Sequence, residues 1–504
     1  MSLGLTHVEP RKRHAIRFAA IWGALFALMG LWAIATPIGA SPDEPAHLIK
    51  AASVVRGEFI GERGPAGEIV DVPNYIGYTH AQTCYAFDET ISANCIPEVP
   101  GDPAEIVDAS TTAGLYNPLY YALVGWPSLI STDSSGVFAM RLVSAAVASL
   151  TLTASAIIAL SWRRGAFLAV GMLAAVTPML LFLGGAVNPN SLEIGATLLA
   201  FVGVVGIVRA PTADRLWPLA TVVAVASAVA ANMRGLSLLW LAIALATPLI
   251  GMRATQLRQL LARRSIQVMI AVIVLSAALA AVWLLSTNSL GAAVDDPGSV
   301  TNAPGVGTPP FFGFVWTLFA TVEYSQGIVG IFGWLDTPAP LLVYGVWAAL
   351  FVVLIVGAVV VARGRQQVPV FVLLTAVLLL PPTLQAIYIT EGGVIWQGRY
   401  ILPLVVCLIV ASAVVLDDAV ELAKPASRRL LLIVIAAWSI AQFQSFATAI
   451  RRYAVGLDEG WLGLLEPEWE PPLGAIPLLV MFGLVLIVIA IAAAAQTRHR
   501  PLPV

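Results

Sequence analysis

The stretch SPDEPAHLIKA, beginning at Ser41, places two neighbouring acids and a histidine directly after an apolar run. On a helix Asp43 and His47, four apart, share one face while Glu44 points elsewhere. A carboxylate held at a partly dry edge is a general base for a hydroxyl. Asp43 with His47 is also the beginning of a metal site, though two ligands make a weak one. A third reading needs no chemistry: Ser41 caps a helix, Pro42 opens it, and the acids sit in its first turn.

Three arginines are candidates for the opposite charge. Arg399 stands in VIWQGRYILPL beside Gln397 and Tyr400, Arg234 in ANMRGLSL and Arg141 in FAMRLVSAA. A guanidinium grips phosphate with a planar fork of donors that an ammonium lacks; the alternatives are an interfacial anchor or, for Arg399, a pair with Glu391. GGAVNPNSLEIG adds Asn188, Asn190 and Glu193. Asn-Pro marks a turn, whereas a lone Glu193 just inside an apolar run needs a partner. Asp43 and Glu44 are therefore the candidate catalytic acids, and Arg399, Arg234 and Arg141 the candidate phosphate ligands. His47, Asn188, Asn190, Glu193, Gln397 and Tyr400 are candidate substrate contacts.

What must position these residues is a membrane-embedded scaffold. Of 504 residues, 59% are hydrophobic and 11% charged, against roughly 25% charged in soluble proteins; mean hydropathy is +0.87. A net charge of -2 leaves no basic face for nucleic acid. Apolar runs of about 20 residues predict an all-α polytopic membrane protein of about twelve transmembrane helices. They fall near 17–38, 136–161, 166–187, 191–208, 216–232, 235–252, 266–286, 341–362, 369–389, 399–416, 429–449 and 473–495. The first reads as a retained span, since no small-residue cleavage site follows a short apolar core. The aromatic segments 115–130 and 311–335 read as interfacial or re-entrant.

Most of the 27 Lys and Arg residues fall on alternate connections, including Arg11–Arg17, Arg163–Arg164, Arg209, Arg215, Arg253–Arg264 and Arg363–Arg365. By the positive-inside rule both termini are then cytoplasmic. The organisation expected is a tail over 1–16, a transmembrane domain over 17–495 and a tail over 496–504. Extracytoplasmic loops cover about 39–115, 287–340 and 450–472, in a bacterial plasma membrane. The first loop is large and acidic and contains CYAFDETISANC; two cysteines in an oxidising compartment favour a Cys84–Cys95 disulfide. The unusual polar residues gather at the outer boundary, a clustering that points to a site there.

PDEPAHLIKA, NPLYY, VNPNSLEI, FGWLDTP, QGRYILPL and RRYAVGL, in that order over roughly 40–460, resemble the bacterial DUF2142 family of predicted membrane proteins. The layout is similar to the wider GT-C superfamily of membrane glycosyltransferases. That resemblance implies a GT-C-like fold with an acidic motif after the first span, in which Asp43 matches the residue that activates the acceptor or helps bind a metal. The outer C-terminal globular domain of many GT-C members has no counterpart after residue 450.

A site facing outward has no nucleotide sugar, so the donor expected is a polyprenyl-phosphate sugar and the acceptor an envelope glycan, lipid or protein. Single displacement would use Asp43 as base, leave polyprenyl phosphate against Arg399, Arg234 or Arg141, and invert the anomeric centre. A divalent cation (Mg or Mn) bridging carboxylate and phosphate is compatible but not required. The Arg, Ala and Val bias hints at a GC-rich bacterial genome, for which arabinofuranose is one candidate sugar. The competing classes are a transporter or flippase for lipid-linked glycans, which calls for charges near the midplane and internal symmetry, and a non-catalytic subunit of an envelope-assembly complex.

Overall fold

The computed structural model describes residues 10–162, 165–212, 216–289 and 304–499. Residues 1–9 and 500–504 of the two expected tails, Arg163, Arg164 and Arg215, and 290–303 of the expected second loop lie outside the described residues. The chain is a helical polytopic membrane protein. Among the described residues nine helices are long and apolar enough to cross a membrane, or ten if one bent pair counts as a span. The twelve expected spans are these ten and two helices of 15 and 14 residues, Trp217–Ala231 and Ser237–Ile250.

The expected 166–187 span is broken. Ala166–Ala175 and Pro178–Gly184 meet at 53°, because Pro178 lacks the N–H that would continue the ladder and Thr177 caps the second piece through Leu180 N–H. The carbonyl freed at Val176 accepts from Trp438 Nε1 at 3.1 Å and Gln442 Nε2 at 2.8 Å. Broken helices survive at membrane depth where side chains re-satisfy such groups. Trp32 of the first helix, Pro10–Ala35, closes the packing nearby, its ring 5.1–5.5 Å from Phe182, Phe332 and Phe446.

The all-α expectation missed a sheet in the first long loop. Strands β1 (Glu62–Gly64), β2 (Gly67–Pro73) and β3 (Ile106–Thr111) pair antiparallel in that order. Val70 and Val72 of β2 are buried with Leu48 and Ile49 of the Glu44–Val55 helix and with Tyr120 and Tyr121. Each valine adds about 1.5–3 kcal/mol by leaving water, in a core the loop shares with Val137, Met140, Val187 and Leu192 of the helical scaffold. The segments 115–130 and 311–335 contain short helices, Pro118–Gly125, Pro310–Phe319 and Thr321–Val329.

The loops are tied to one another at that end. Cys84 and Cys95 form a disulfide. Buried Arg452, in the last turn of Lys424–Val455, donates to the carbonyls of Tyr85, Asp88 and Ile91 and to Asp336 Oδ2 at 3.1 Å. Gly456 then turns the chain at φ 85°, where a Cβ would lie 2.3 Å from Thr90 O. The motifs FGWLDTP and RRYAVGL are thereby accounted for as a clamp between loops. At the opposite end Arg209 pairs with Asp418 at 2.6 Å, and Asp417 accepts the N–H groups of Phe167 and Leu168.

Candidate functional site

The first helix stops at Ala35, ahead of Thr36-Pro37, where the residue before proline is pushed out of the α region. The next helix begins at Glu44 with Pro45 in its first turn, so neither Ser41 nor Pro42 has the capping role expected of it. Asp43 takes the N-cap position at φ 65°, ψ 0°, but its side chain makes no capping hydrogen bond. From Gly39 to Val54 every residue is buried except Asp43. The carboxylate reaches Arg399 instead, with 3.0 Å between Oδ2 and Nη2.

Arg399 lies in a 3-10 turn, Gly398–Ile401, ahead of the Leu402–Ala419 helix. Gly398 lets that turn press on the Thr321–Val329 helix, since a Cβ there would lie 1.9 Å from Tyr324 O. The Arg399 side chain is 2% exposed and that of Asp43 49%. A guanidinium has five N–H donors, yet Arg399 Nε and Nη1 have no partner among the described residues. Leaving buried charged donors unmade costs more than the 1–3 kcal/mol of a neutral group.

Arg234 comes from the hairpin between Trp217–Ala231 and Ser237–Ile250. Its guanidinium carbon sits 4.7 Å from the centre of the Tyr400 ring and that of Arg399 5.3 Å, so one aromatic ring serves both cations. Arg234 also donates to Asn190 Oδ1. Ser237 Oγ donates to Glu193 at 2.5 Å, which gives the lone acid its partner. Asn190 Nδ2 and Gln397 Oε1 are buried without one.

The DUF2142 family model, described as a predicted membrane protein, matches residues 26–408. The chain belongs to the DUF2142 family. The matched stretch of this DUF2142 protein includes Asp43, His47, Arg234, Arg399 and Tyr400 and ends before the Arg452 clamp. No curated protein matches it significantly in sequence. Among solved structures it is similar to ArnT from Cupriavidus metallidurans in the apo state, at a TM-score of 0.46 and 13% identity. The likeness covers 97% of this chain and 78% of that one, and at this level it decides neither fold nor activity.

Not all the expected residues of this DUF2142 protein are open to a ligand. Arg141 and Glu44 are both fully buried. Arg141 spends Nε and Nη2 on Glu44 at 2.8 and 2.6 Å, Nη1 on Ala33 O and Thr36 O, and Nη2 also on Pro37 O. Glu44 Oε1 accepts Val187 N–H as well, at 3.0 Å. With every donor taken, Arg141 has nothing left for a phosphate, and Glu44 has no access to a hydroxyl. This pair pins the first helix, the Asp43 turn and the broken span together. Asn188 is likewise a fastening, accepting Asn190 N–H and donating to Pro42 O at 3.3 Å.

His47 lies under the site, its Nδ1 2.9 Å from Tyr121 Oη. Burial, opposed by Asp43 and helped by Arg234 and Arg399, pushes its pKa down to about 3, so the ring is neutral near pH 7. Among the described residues no three His, Cys, Asp or Glu side chains cluster as metal ligands. Asp43 is engaged by Arg399 and His47 by Tyr121, so this donor set does not by itself fit a divalent cation. Two contributors escaped the sequence reading. Tyr121 orients His47, and Tyr116 packs 5.9 Å from the His47 ring. The aromatic run in LYNPLYY was their signal, masked by its likeness to an interfacial belt.

Proposed function

We propose that this DUF2142 protein is a membrane glycosyltransferase that takes a sugar from a polyprenyl-phosphate donor on the extracytoplasmic face. The observation that carries the reading is the half-exposed Asp43 carboxylate beside two cations, one with buried guanidinium donors that nothing among the described residues satisfies. Those donors suit a phosphate. The acceptor hydroxyl gives its proton to Asp43 as its oxygen forms the bond to the anomeric carbon. The bond from that carbon to the phosphate oxygen breaks with its electron pair, and polyprenyl phosphate departs against Arg399 and Arg234. A single displacement inverts the anomeric centre.

The lipid tail has a place to lie. An apolar groove of about 450 Å³ runs between Ser237–Ile250 and Gln367–Gly392, lined by Ile243, Phe371, Leu379, Leu380 and Thr383 among others. Phe371 to Thr383 spans about 18 Å at 1.5 Å per residue. Beyond its upper end Gln385 holds Gly393 O and the N–H groups of Ile395 and Trp396, on the segment leading to Arg399. Placing this end outside the cytoplasm, with both termini inside, rests on the arginine distribution and on a disulfide in the first loop.

The test is purified protein in lipid nanodiscs with synthetic polyprenyl-phosphate sugars and envelope-glycan acceptors. Release of polyprenyl phosphate and an inverted product are expected from the wild type, and neither from a folded Asp43→Asn variant. Equal turnover in both removes Asp43 from the chemistry.

A further inference from the structure

A second cavity lies away from the two arginines. The cleft measures about 490 Å³ and is walled by the disulfide loop, the extended run after it, the start of the Ser135–Leu160 helix and the stretch EPEWE near residue 469. Ligand sites for small molecules commonly measure about 300–1,000 Å³. Tyr75 is fully buried and Gln82 6% exposed, and both line the cleft. Among the described residues Tyr75 Oη and Gln82 Oε1 have no hydrogen-bond partner, although Gln82 Nε2 donates to Pro97 O at 3.4 Å. Buried polar groups in folded proteins are nearly always paired, so two such oxygens on residues lining one cleft call for a ligand that donates.

The rest of the lining narrows the class. Glu98, Asp133 and Asn94 line the cleft from exposed positions, and Trp469 is half-buried there. Burial pushes the Tyr75 hydroxyl up to about 12, so it keeps its proton and can donate as well as accept. Carboxylates, an amide, a phenol and an indole face together suit a polyhydroxylated ring. Hydroxyls bond to the oxygens, and the ring's C–H face meets the negative face of the indole.

We propose that this cleft binds a saccharide chain of the acceptor, an assignment that rests on the transferase reading above and names where its second substrate is held. Ser134 lines the cleft, and seven residues further along the same helix, about 10 Å of axial rise, Arg141 holds Glu44 beside Asp43. On this reading the terminal hydroxyl of the bound saccharide is the one presented to Asp43. The walls are held independently of the site. Ser92 Oγ donates to Glu468 at 2.5 Å, and the N–H groups of Glu468 and Trp469 both bond Ala454 O.

The experiment uses the full chain in nanodiscs and titrates linear hexasaccharides of arabinose, galactose and glucose by saturation-transfer NMR, with pentalysine as the competing class. At least one hexasaccharide is expected to bind. Trp469→Ala and Asn94→Trp, the latter filling the cleft from an exposed position, each weaken that binding at least tenfold while the protein keeps its thermal midpoint. Absence of saccharide binding, binding of pentalysine alone, or saccharide binding that survives both cleft variants overturns the proposal. Release of polyprenyl phosphate is measured on the same samples. Cleft-dependent saccharide binding without release supports the cleft and sinks the transferase reading; release without saccharide binding does the reverse.

Discussion

Asp43 and Glu44 are adjacent carboxylates, each paired to an arginine, yet opposite consequences are expected when each loses its charge. Glu44→Gln removes the counter-charge from Arg141 with both side chains fully buried. It also replaces one of two carboxylate oxygens, which together accept from Arg141 Nε, Arg141 Nη2 and Val187 N–H, with an NH2 group facing donors. Breaking a buried pair from one side costs about 3–5 kcal/mol. Asp43→Asn removes the charge but keeps an oxygen that can accept from Arg399 Nη2 at 3.0 Å, in a pair buried on one side only, so its cost falls between the about 0–1 kcal/mol of an exposed pair and the about 3–5 kcal/mol of a buried one. Asparagine also tolerates the left-handed backbone at φ 65°, which an alanine would occupy at a cost of about 1–2 kcal/mol. Thermal unfolding in nanodiscs, with size-exclusion profiles before and after heating, reads the difference. Glu44→Gln is expected to lower the midpoint by many degrees and to reduce yield; Asp43→Asn is expected to match the wild type within a few degrees while losing turnover. A Glu44→Gln protein as heat-resistant as the wild type but inactive would refute the assignment of Glu44 to the scaffold.

Arg399→Gln is expected to lower turnover by about 10²–10³ with little change in yield, and turnover within threefold of the wild type would remove Arg399 from the leaving-group role. Acid is expected to destabilise the protein through His47. The unfolded ring takes a proton near pH 6.5 while the folded ring resists until about 3, so this stability is full above 6.5 and is lost as pH falls through that window. By pH 4.5 the loss is about 3 kcal/mol, visible as a midpoint-against-pH slope that flattens in His47→Gln. Reducing the Cys84–Cys95 disulfide, which closes a sequence separation of 11, is expected to cost roughly 2–3 kcal/mol. A reduced protein that melts with the oxidised one would show that the loop's packing on the scaffold suffices.

Residue chemistry made much of the molecule readable before its coordinates, and long-range pairing hid the rest. Hydropathy alone located the spans, because twenty apolar residues in a row have few other uses. The break at Val176 was harder to see, since the run stays apolar through it and only Thr177-Pro178 marks the turn. The sheet was missed because its strands are short and sit in an acidic loop, although Gly67–Pro73 alternates buried and less buried residues. At the site, residue types singled out Asp43, Arg399 and Arg234, but types could not say which acid belongs to which base. Arg141 is as good a phosphate ligand as Arg399 until its donors are seen to be spent, and that depends on residues about a hundred positions away. Tyr121 went unnoticed for the same reason, as its partner His47 lies 74 positions earlier.

The distances along the chain between these partners set a timetable for biogenesis. Glu44 finds Arg141 across 97 residues, whereas Asp43 waits 356 residues for Arg399, and Asp336 a further 116 for Arg452. A nascent polypeptide that has inserted its first two hundred residues already holds the complete Glu44 clamp. It has no partner for the neighbouring acid until the tenth span arrives. An N-terminal fragment can therefore be well folded and still inert, and the reactive corner comes into being only near the end of translation.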